Sequence, residues 1–518
     1  MQEKKSKKEK TKRSSKKKET PKAKKTLGQR KKLNILFAAS EAVPFSKSGG
    51  LADVCGALPK ALAGKGHNVV VVMPRYWGIT PDDKKTVIEA MGVPIGKQTI
   101  WCRVLETQVG KVKYCFIEHN GYFGRSGLYD DGKWEYYDNA ERFGFFSKAV
   151  LQLCKDTDFR ADIIHCNDWQ TALIPAYLKI TEKDSLFFKN TASVFTIHNI
   201  GHQGVFPGGK YDFLGLGKEN FTEPKFESWG KTHFMKGGIF YADAITTVSP
   251  SYAEEILTPG GGTGLAPYLE RRMDDISGIL NGADYDSWNP EKDDMIPRKY
   301  SVLDISGKAE CKRALQREFQ LDDAPNVPVI GMVTRLVYQK GLDLVAPVIR
   351  DIVRNMIAQI VILGSGEKAM EDFFGHLPSE FPGRIGAWIG FDERKAHLIE
   401  AGSDLFLMPS RYEPCGLNQI YSMRYGTLPI VREIGGLKDT VEQYDERKGT
   451  GTGFRFEKAE PEAVYYSVGW AVSTYYDRPG HFAGMRKKAM EKVFCWNDSV
   501  LKYEEVYKKA LQRRASWR

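Results

Sequence analysis

Lys47-Ser48-Gly49-Gly50-Leu51-Ala52-Asp53 and Glu433-Ile434-Gly435-Gly436-Leu437-Lys438-Asp439 are nearly the same stretch, met once near each end of the chain, and their reading decides the fold. Each has the form of a loop opening into a helix. Glycine lets bare backbone N–H groups approach a ligand closely, and the helix start behind it carries partial positive charge, so an anion such as a phosphate is favoured there. Taken alone, either pair is equally compatible with an ordinary strand-to-helix turn. Two α/β halves facing one diphosphate account for the recurrence.

Outward from the first pair, Leu33–Ala39 is a short apolar run, Leu51 to about Ala63 reads as a helix, and Asn68–Met73 is a second apolar run, which together make a βαβ unit opening a parallel sheet. Further buried strands are predicted at Val112–Ile117, Asp162–His165, Ser193–Ile197 and Ala244–Val248, with helices around Asn139–Cys154 and Asp168–Leu178. Thr258–Pro267 reads as a mobile surface loop. After a polar connection near Asn289–Tyr300 a second series begins. Its strands are predicted at Pro328–Val333, Gln359–Leu363, Arg384–Ile389, Asp404–Met408 and Leu428–Val431, and helices close the chain from about Pro461. The pattern predicts an α/β protein of two doubly wound domains, with ligands outside the carboxyl ends of the strands.

Composition agrees with this. At 518 residues the chain exceeds one core, and 42% hydrophobic with 27% charged residues is the balance of a globular protein. No apolar run is long enough to cross a bilayer. The net charge of +11 resembles a nucleic-acid signal until it is located: residues 1–32 hold 16 Lys or Arg against 3 Glu, a net +13, so residues 33–518 carry 60 basic and 62 acidic side chains. The tail is nearly devoid of apolar residues and is expected to be disordered. Nucleic acid, an anionic surface or an acidic partner would fit it, as would a solvated extension with no partner. It lacks the apolar core of a secretory signal, and Glu3, Glu9 and Glu19 sit poorly with an organellar transit peptide. The eight cysteines form no zinc-spaced cluster and are expected to be reduced and mostly buried, in a cytosol-like compartment.

Polar residues gather after the predicted strands, where a site is built. His165-Cys166-Asn167-Asp168-Trp169 follows one, Thr196-Ile197-His198-Asn199 ends the next, Thr334-Arg335 closes a third, and Ser410-Arg411-Tyr412-Glu413-Pro414-Cys415-Gly416-Leu417 follows another. Arg335 and Lys340 lie five apart around a strand end, so both can reach one diphosphate, Arg as a planar fork and Lys as a point charge. Glu413, before a Pro-Cys-Gly turn, is placed to accept bonds from sugar hydroxyls. His198 and Asp168 could do the same from the other domain, although His198 also fits a satisfied core histidine. Trp169 reads as core.

Taken in order, these motifs, with Leu280-Asn281-Gly282, Gln339-Lys340-Gly341 and Gly435-Gly436-Leu437-Lys438-Asp439-Thr440, closely resemble the bacterial glycogen synthase and plant starch synthase family, from about Leu33 to the C-terminal helices. The resemblance implies a GT-B fold: two Rossmann-like doubly wound domains facing across a deep cleft, at 33–285 on the acceptor side and 286–494 on the nucleotide-sugar side, with a C-terminal helix at 495–518 crossing back. It implies a retaining glucosyltransferase that moves glucose from a nucleotide sugar, usually ADP-glucose, to the non-reducing end of an α-1,4-glucan, without cofactor or metal. By the family pattern Lys47, Arg335 and Lys340 bind the diphosphate with backbone from the Gly49–Gly50 and Gly435–Gly436 loops. His198, Asn281, Glu413 and Asp168 hold the glucose, Asp53 lies close to it, and Cys415, Gly416 and Leu417 complete the donor site.

Relatives in the wider family carry a second glutamate eight positions after the first, and here that position is Tyr421, as in the glycogen and starch synthase branch. Phe391 stands where bacterial members are expected to carry a tyrosine that stacks on the base. Phenylalanine still stacks, and without the hydroxyl the choice between ADP- and UDP-glucose stays open, as do chain-length preference and oligomeric state. A cytoplasmic protein is expected, or a plastid one for a plant-type chain. A glucan-binding scaffold with a degenerate centre would show substitutions at Lys47, His198, Arg335, Lys340 or Glu413, and all five are intact. A reading in which the tail carries the main function is also compatible with the sequence.

Overall fold

Eighteen strands organise the described part of the chain, residues 32–79 and 84–516 of the computed structural model. In the first half they are β1 (Asn34–Ala38), β2 (Asn68–Pro74), β3 (Lys85–Ile95), β4 (Gln98–Val109), β5 (Val112–Glu118), β6 (Ile163–Asn167), β7 (Ala192–Ile197), β8 (Val205–Pro207), β9 (Glu227–Ser228), β10 (Lys231–His233), β11 (Ala244–Thr247) and β12 (Ile276–Gly278). The second half adds β13 (Val329–Val333), β14 (Gln359–Gly364), β15 (Ile385–Ile389), β16 (Leu405–Met408), β17 (Leu428–Arg432) and β18 (Phe454–Phe456). The basic tail lies outside the described residues up to Lys31.

The first sheet runs β12-β11-β7-β6-β1-β2-β5-β4-β3 and the second β15-β14-β13-β16-β17-β18. Every pairing in the second is parallel, so in order of appearance its strands lie 3-2-1-4-5-6. The parallel strands of the first repeat that order and extend it by one. The strand order reverses between β1 and β6, and again between β13 and β16. Crossovers on either side of such a point go to opposite faces and open a crevice at the carboxyl edge.

The predicted strands are mostly buried on both faces, the edge strand β15 with its exposed Trp388 and Ile389 being the exception. β1 and β7 are apolar almost throughout, as parallel strands covered by helices require. The sequence reading missed the antiparallel pair β3–β4, whose burial alternates and whose edge position keeps half of each strand in water, and it missed the short β18 and the three-stranded sheet β8-β10-β9. Both glycine pairs open helices, Gly50–Gly64 and Gly435–Thr440. Thr258 to Leu265 is a bonded loop, with the Gly262 N–H on Thr258 O and the Leu265 N–H on Gly262 O, and Pro267 belongs to the helix Ala266–Glu270. No described helix is long and apolar enough to cross a membrane. All eight cysteines are free, and seven are buried.

The helix Trp496–Ser516 returns to the first sheet and buries Tyr503, Tyr507 and Ala510 in its core. The Tyr507 hydroxyl bonds His165 Nδ1 at 2.8 Å, and His165 Nε2 bonds Thr196 Oγ1 at 2.6 Å, so the last helix pins β6 and β7 just below their carboxyl ends. Burial pushes the His165 pKa down to about 3, which keeps the ring neutral between these partners. Tyr507→Phe strands a buried ring nitrogen and should lower stability by about 1–3 kcal/mol. An unchanged midpoint in urea unfolding would show that the bond is dispensable.

Candidate active site

The loops after the two reversal points face one cavity of about 550 Å³. On the second-sheet side, the chain leaves β13 through Thr334 and Arg335, makes a short 3₁₀ turn at Tyr338–Lys340, and passes through Gly341 at φ 71°. A Cβ on Gly341 would collide with the Pro409 carbonyl, so only glycine lets this loop lie against the one after β16. The Arg411 N–H on Gln339 O at 2.9 Å ties the two loops together. The result is a buried Glu413 whose Oε2 accepts from Lys340 Nζ at 2.6 Å and from Ser410 Oγ at 2.9 Å. The Arg335 side chain bonds only Gln339, at 3.3 Å, and pairs with no carboxylate among the described residues.

On the first-sheet side, β6 and β7 deliver Asp168 and His198. Asp168 holds φ 54°, a backbone state that costs a non-glycine residue about 1–3 kcal/mol and that recurs at functional sites. The distortion turns its Oδ1 onto the His198 N–H, 2.7 Å away. Burial pushes the Asp168 pKa up to about 7, against the lowering pull of the His198 and Asn199 amides, and the Glu41 charge adds to the rise. The His198 ring bonds Asn167 Oδ1 through Nε2 at 2.9 Å, and the Asn167 amide nitrogen is committed to Ala38 O at 2.9 Å. Asn167 therefore presents its oxygen, Nε2 carries the proton, and Nδ1 is left as an acceptor. Burial lowers the His198 pKa to about 3, so the ring is neutral at physiological pH.

Asn281 joins the lining from the crossing between the sheets, and its buried Oδ1 has no hydrogen-bond partner among the described residues. Gly49 and Gly50 lie on the rim, and a Cβ built on either meets no atom within 4 Å. No neighbouring atom requires glycine there; its absence of side chain leaves room for something else.

The first half of the chain, residues 34–271, matches the family described as the starch synthase catalytic domain, and residues 316–473 match glycosyl transferases group 1. Glycogen synthase 1 of Geobacter sulfurreducens is 46% identical over 93% of this chain and 97% of its own length. The chain belongs to the glycogen and starch synthase family. Glycogen synthase of Treponema denticola is 45% identical over 93% of this chain and all of its own. The catalytic domain of starch synthase IV from Arabidopsis thaliana, solved bound to ADP and acarbose, superposes with a TM-score of 0.85 at 31% identity, covering 93% of this chain and 100% of that one. A sucrose-phosphate synthase from Thermosynechococcus elongatus shares the fold at a TM-score of 0.57 and 16% identity, covering 92% of this chain and 99% of that one. The two sheets with their returning helix are thus a GT-B fold.

In this member of the synthase family the cavity collects His198, Asp168, Arg335, Lys340 and Glu413, together with Gly49, Gly50, Asp53, Asn281, Cys415, Gly416 and Leu417. Four expected residues lie outside its lining. Lys47 is exposed and pairs with Asp53 Oδ1 at 2.8 Å. Phe391, 83% exposed beyond the edge strand β15, is not against the cavity. Gly435 and Gly436 back the Glu413 turn from behind: Cβ atoms there would strike the Glu413 and Cys415 carbonyls. Their N–H groups are engaged by Glu255 Oε1 at 2.7 Å and by Glu413 O at 3.1 Å, which leaves neither free for an anion. Tyr421, in the place of the second glutamate, is buried and stacks on Trp288 at 4.5 Å.

Glu41 was legible but missed, since it stands just past β1 at a reversal point as Asp168 stands past β6. Its carboxylate accepts from the Ser48 N–H, from Ser48 Oγ at 2.8 Å and from Tyr129 OH at 3.0 Å, and so sets the loop that leads to Gly49. Tyr129, Asp130 and Glu135 also line the cavity from a loop with no motif. Behind the cavity the lobes clasp each other: Asp439 accepts the Ser251 N–H at 2.8 Å and Oγ at 2.7 Å, and Ser249 Oγ donates to Pro414 O at 2.7 Å.

Gly50→Ala should fold with unchanged thermal stability while Gly436→Ala is destabilised; equal melting temperatures would remove the distinction between the two pairs. For Asp168, a folded pKa of about 7 above the ordinary 3.8 means that the native state holds a proton the unfolded state has lost, so stability falls as pH rises through that window. Asp168→Asn should therefore gain on wild type between about pH 4 and pH 7, by up to roughly 4 kcal/mol, and hold level above. A stability difference that does not vary with pH would contradict this.

Proposed function

We propose that the chain is an ADP-glucose-dependent glycogen or starch synthase, transferring glucose with retention of configuration to the non-reducing end of an α-1,4-glucan. The observation that carries the reading is the division of one cavity by charge: Arg335 and Lys340 on one wall, and Asp168, neutral His198 and the open acceptor Asn281 Oδ1 on the other and at the seam. A sugar diphosphate has the same division, with charge at one end and hydroxyls at the other.

In this reading Arg335 and Lys340 neutralise the departing diphosphate in a partly desolvated site, where fixed cations act without reorganising. Lys340 touches Glu413, which sets the phosphate end beside the sugar end, and Glu413 Oε1 remains for sugar hydroxyls. His198 accepts through Nδ1 and adds no positive charge beside an oxocarbenium-like sugar. The bond from C1 to the phosphate oxygen breaks as the acceptor hydroxyl approaches the same face, and the acceptor's proton passes to that phosphate oxygen. ADP as the nucleotide is supported by the starch synthase IV structure, which holds ADP. Metal independence is part of the proposal, the two cations serving where a divalent ion otherwise would.

Glucan-dependent ADP release should drop about a hundredfold or more in Lys340→Ala and Glu413→Ala. Initial rates with ADP-glucose should exceed those with UDP-glucose on a glycogen primer, and a chelator should leave them unchanged. Equal turnover in wild type and both variants would reject the site, and loss of turnover with chelator would reject metal independence.

A further inference from the structure

Between β5 and the helix Asn139–Asp156 the chain makes a small hairpin that is tied together by its own hydrogen bonds and carries exposed aromatic rings. The Tyr136 N–H bonds Tyr129 O at 3.0 Å, Asp130 pairs antiparallel with Glu135, and the tip is closed by the Asp131 N–H on Trp134 O at 3.2 Å and the Trp134 N–H on Asp131 Oδ1 at 2.8 Å. Arg125 and Arg142 lie over the Tyr136 ring at 4.7 and 4.8 Å, and Arg142 bonds Leu128 O at 3.0 Å. Arg125 is fixed in turn by Asp138, with Nη1 to Oδ1 at 2.7 Å. On this support Trp134 is 77% exposed and Tyr137 84%, with Lys210 Nζ 5.7 Å from the centre of the Tyr137 ring.

The hairpin's other residues, Tyr129, Asp130 and Glu135, line the transfer cavity, and Trp134 and Tyr137 lie within two residues of Glu135 in the same hairpin. Exposed aromatic rings on a rigid support are contact surfaces, rich in area and low in entropy cost. Beside two carboxylates they match a pyranose, whose ring has an apolar face for stacking and hydroxyl edges for hydrogen bonding. We propose that Trp134 and Tyr137 form an outer platform for the acceptor, stacking glucose units of an α-glucan chain several residues back from its reacting end. The inference rests on the proposed glucan acceptor and adds a length dependence to it.

The platform should be felt only by acceptors long enough to reach it. In Trp134→Ala and the Trp134→Ala/Tyr137→Ala pair, KM for maltoheptaose should rise about three- to tenfold, with kcat, the donor KM and the KM for maltotriose unchanged, and Trp134→Phe should restore most of the loss. Titration of maltoheptaose onto the unreacted protein should show the same weakening, and far-ultraviolet circular dichroism checks that the variants fold. If KM for the two acceptors moves together, if the donor KM moves, or if neither KM changes, the platform is wrong while glucan synthesis stands. Failure of the wild type to extend either acceptor would overturn the glucan reading and the platform with it.

Discussion

A parallel sheet whose crossovers change direction has to leave a gap at its carboxyl edge, because the two flanking loops depart to opposite faces and nothing bridges them. This chain contains that constraint twice, between β1 and β6 and between β13 and β16. Asp168 and Glu41 stand at one gap, Arg335, Lys340 and Glu413 at the other. The rest of the molecule turns two shallow crevices into one cavity: the crossing at Asn281, the returning helix Trp496–Ser516, and the clasp between Ser249–Glu255 and Gly435–Asp439.

Electrostatics then divides the cavity. Burial raises the Asp168 carboxyl toward neutrality and keeps the His198 ring uncharged, while Lys340 is kept beside a carboxylate and Arg335 pairs with none among the described residues. Positive charge is confined to the second-sheet wall, and hydroxyl-matching groups face it from the first-sheet wall, with Glu413 beside Lys340 where the two meet. Such a partition orients a ligand with a charged and an uncharged end before any closure of the lobes is considered.

The two glycine pairs show how the same local sequence acquires different work. Both open helices, yet Gly49–Gly50 borders empty space and Gly435–Gly436 is wedged under the Glu413 turn. One pair leaves room for a ligand and the other for backbone. Each helix of the clasp also takes a carboxylate from the other lobe at its start, Glu255 at Gly435 and Asp439 at Ser251, so the two helix starts tie the lobes together.

Sequence alone determined the doubly wound strands and the residues at their carboxyl ends, because strands covered on both faces must be continuously apolar and polar residues at their ends have few structural reasons to be there. That was enough for His198, Asp168, Arg335, Lys340 and Glu413. It did not reach β3 and β4, half wetted at an edge, or Tyr129, Asp130 and Glu135, which enter the site from a loop with no periodicity. Only the tertiary structure decided which glycine pair meets the cavity, that Lys47 and Phe391 lie outside its lining, and which tautomer His198 holds. Those depend on packing between residues far apart in the chain, and neither spacing nor residue type carries that information.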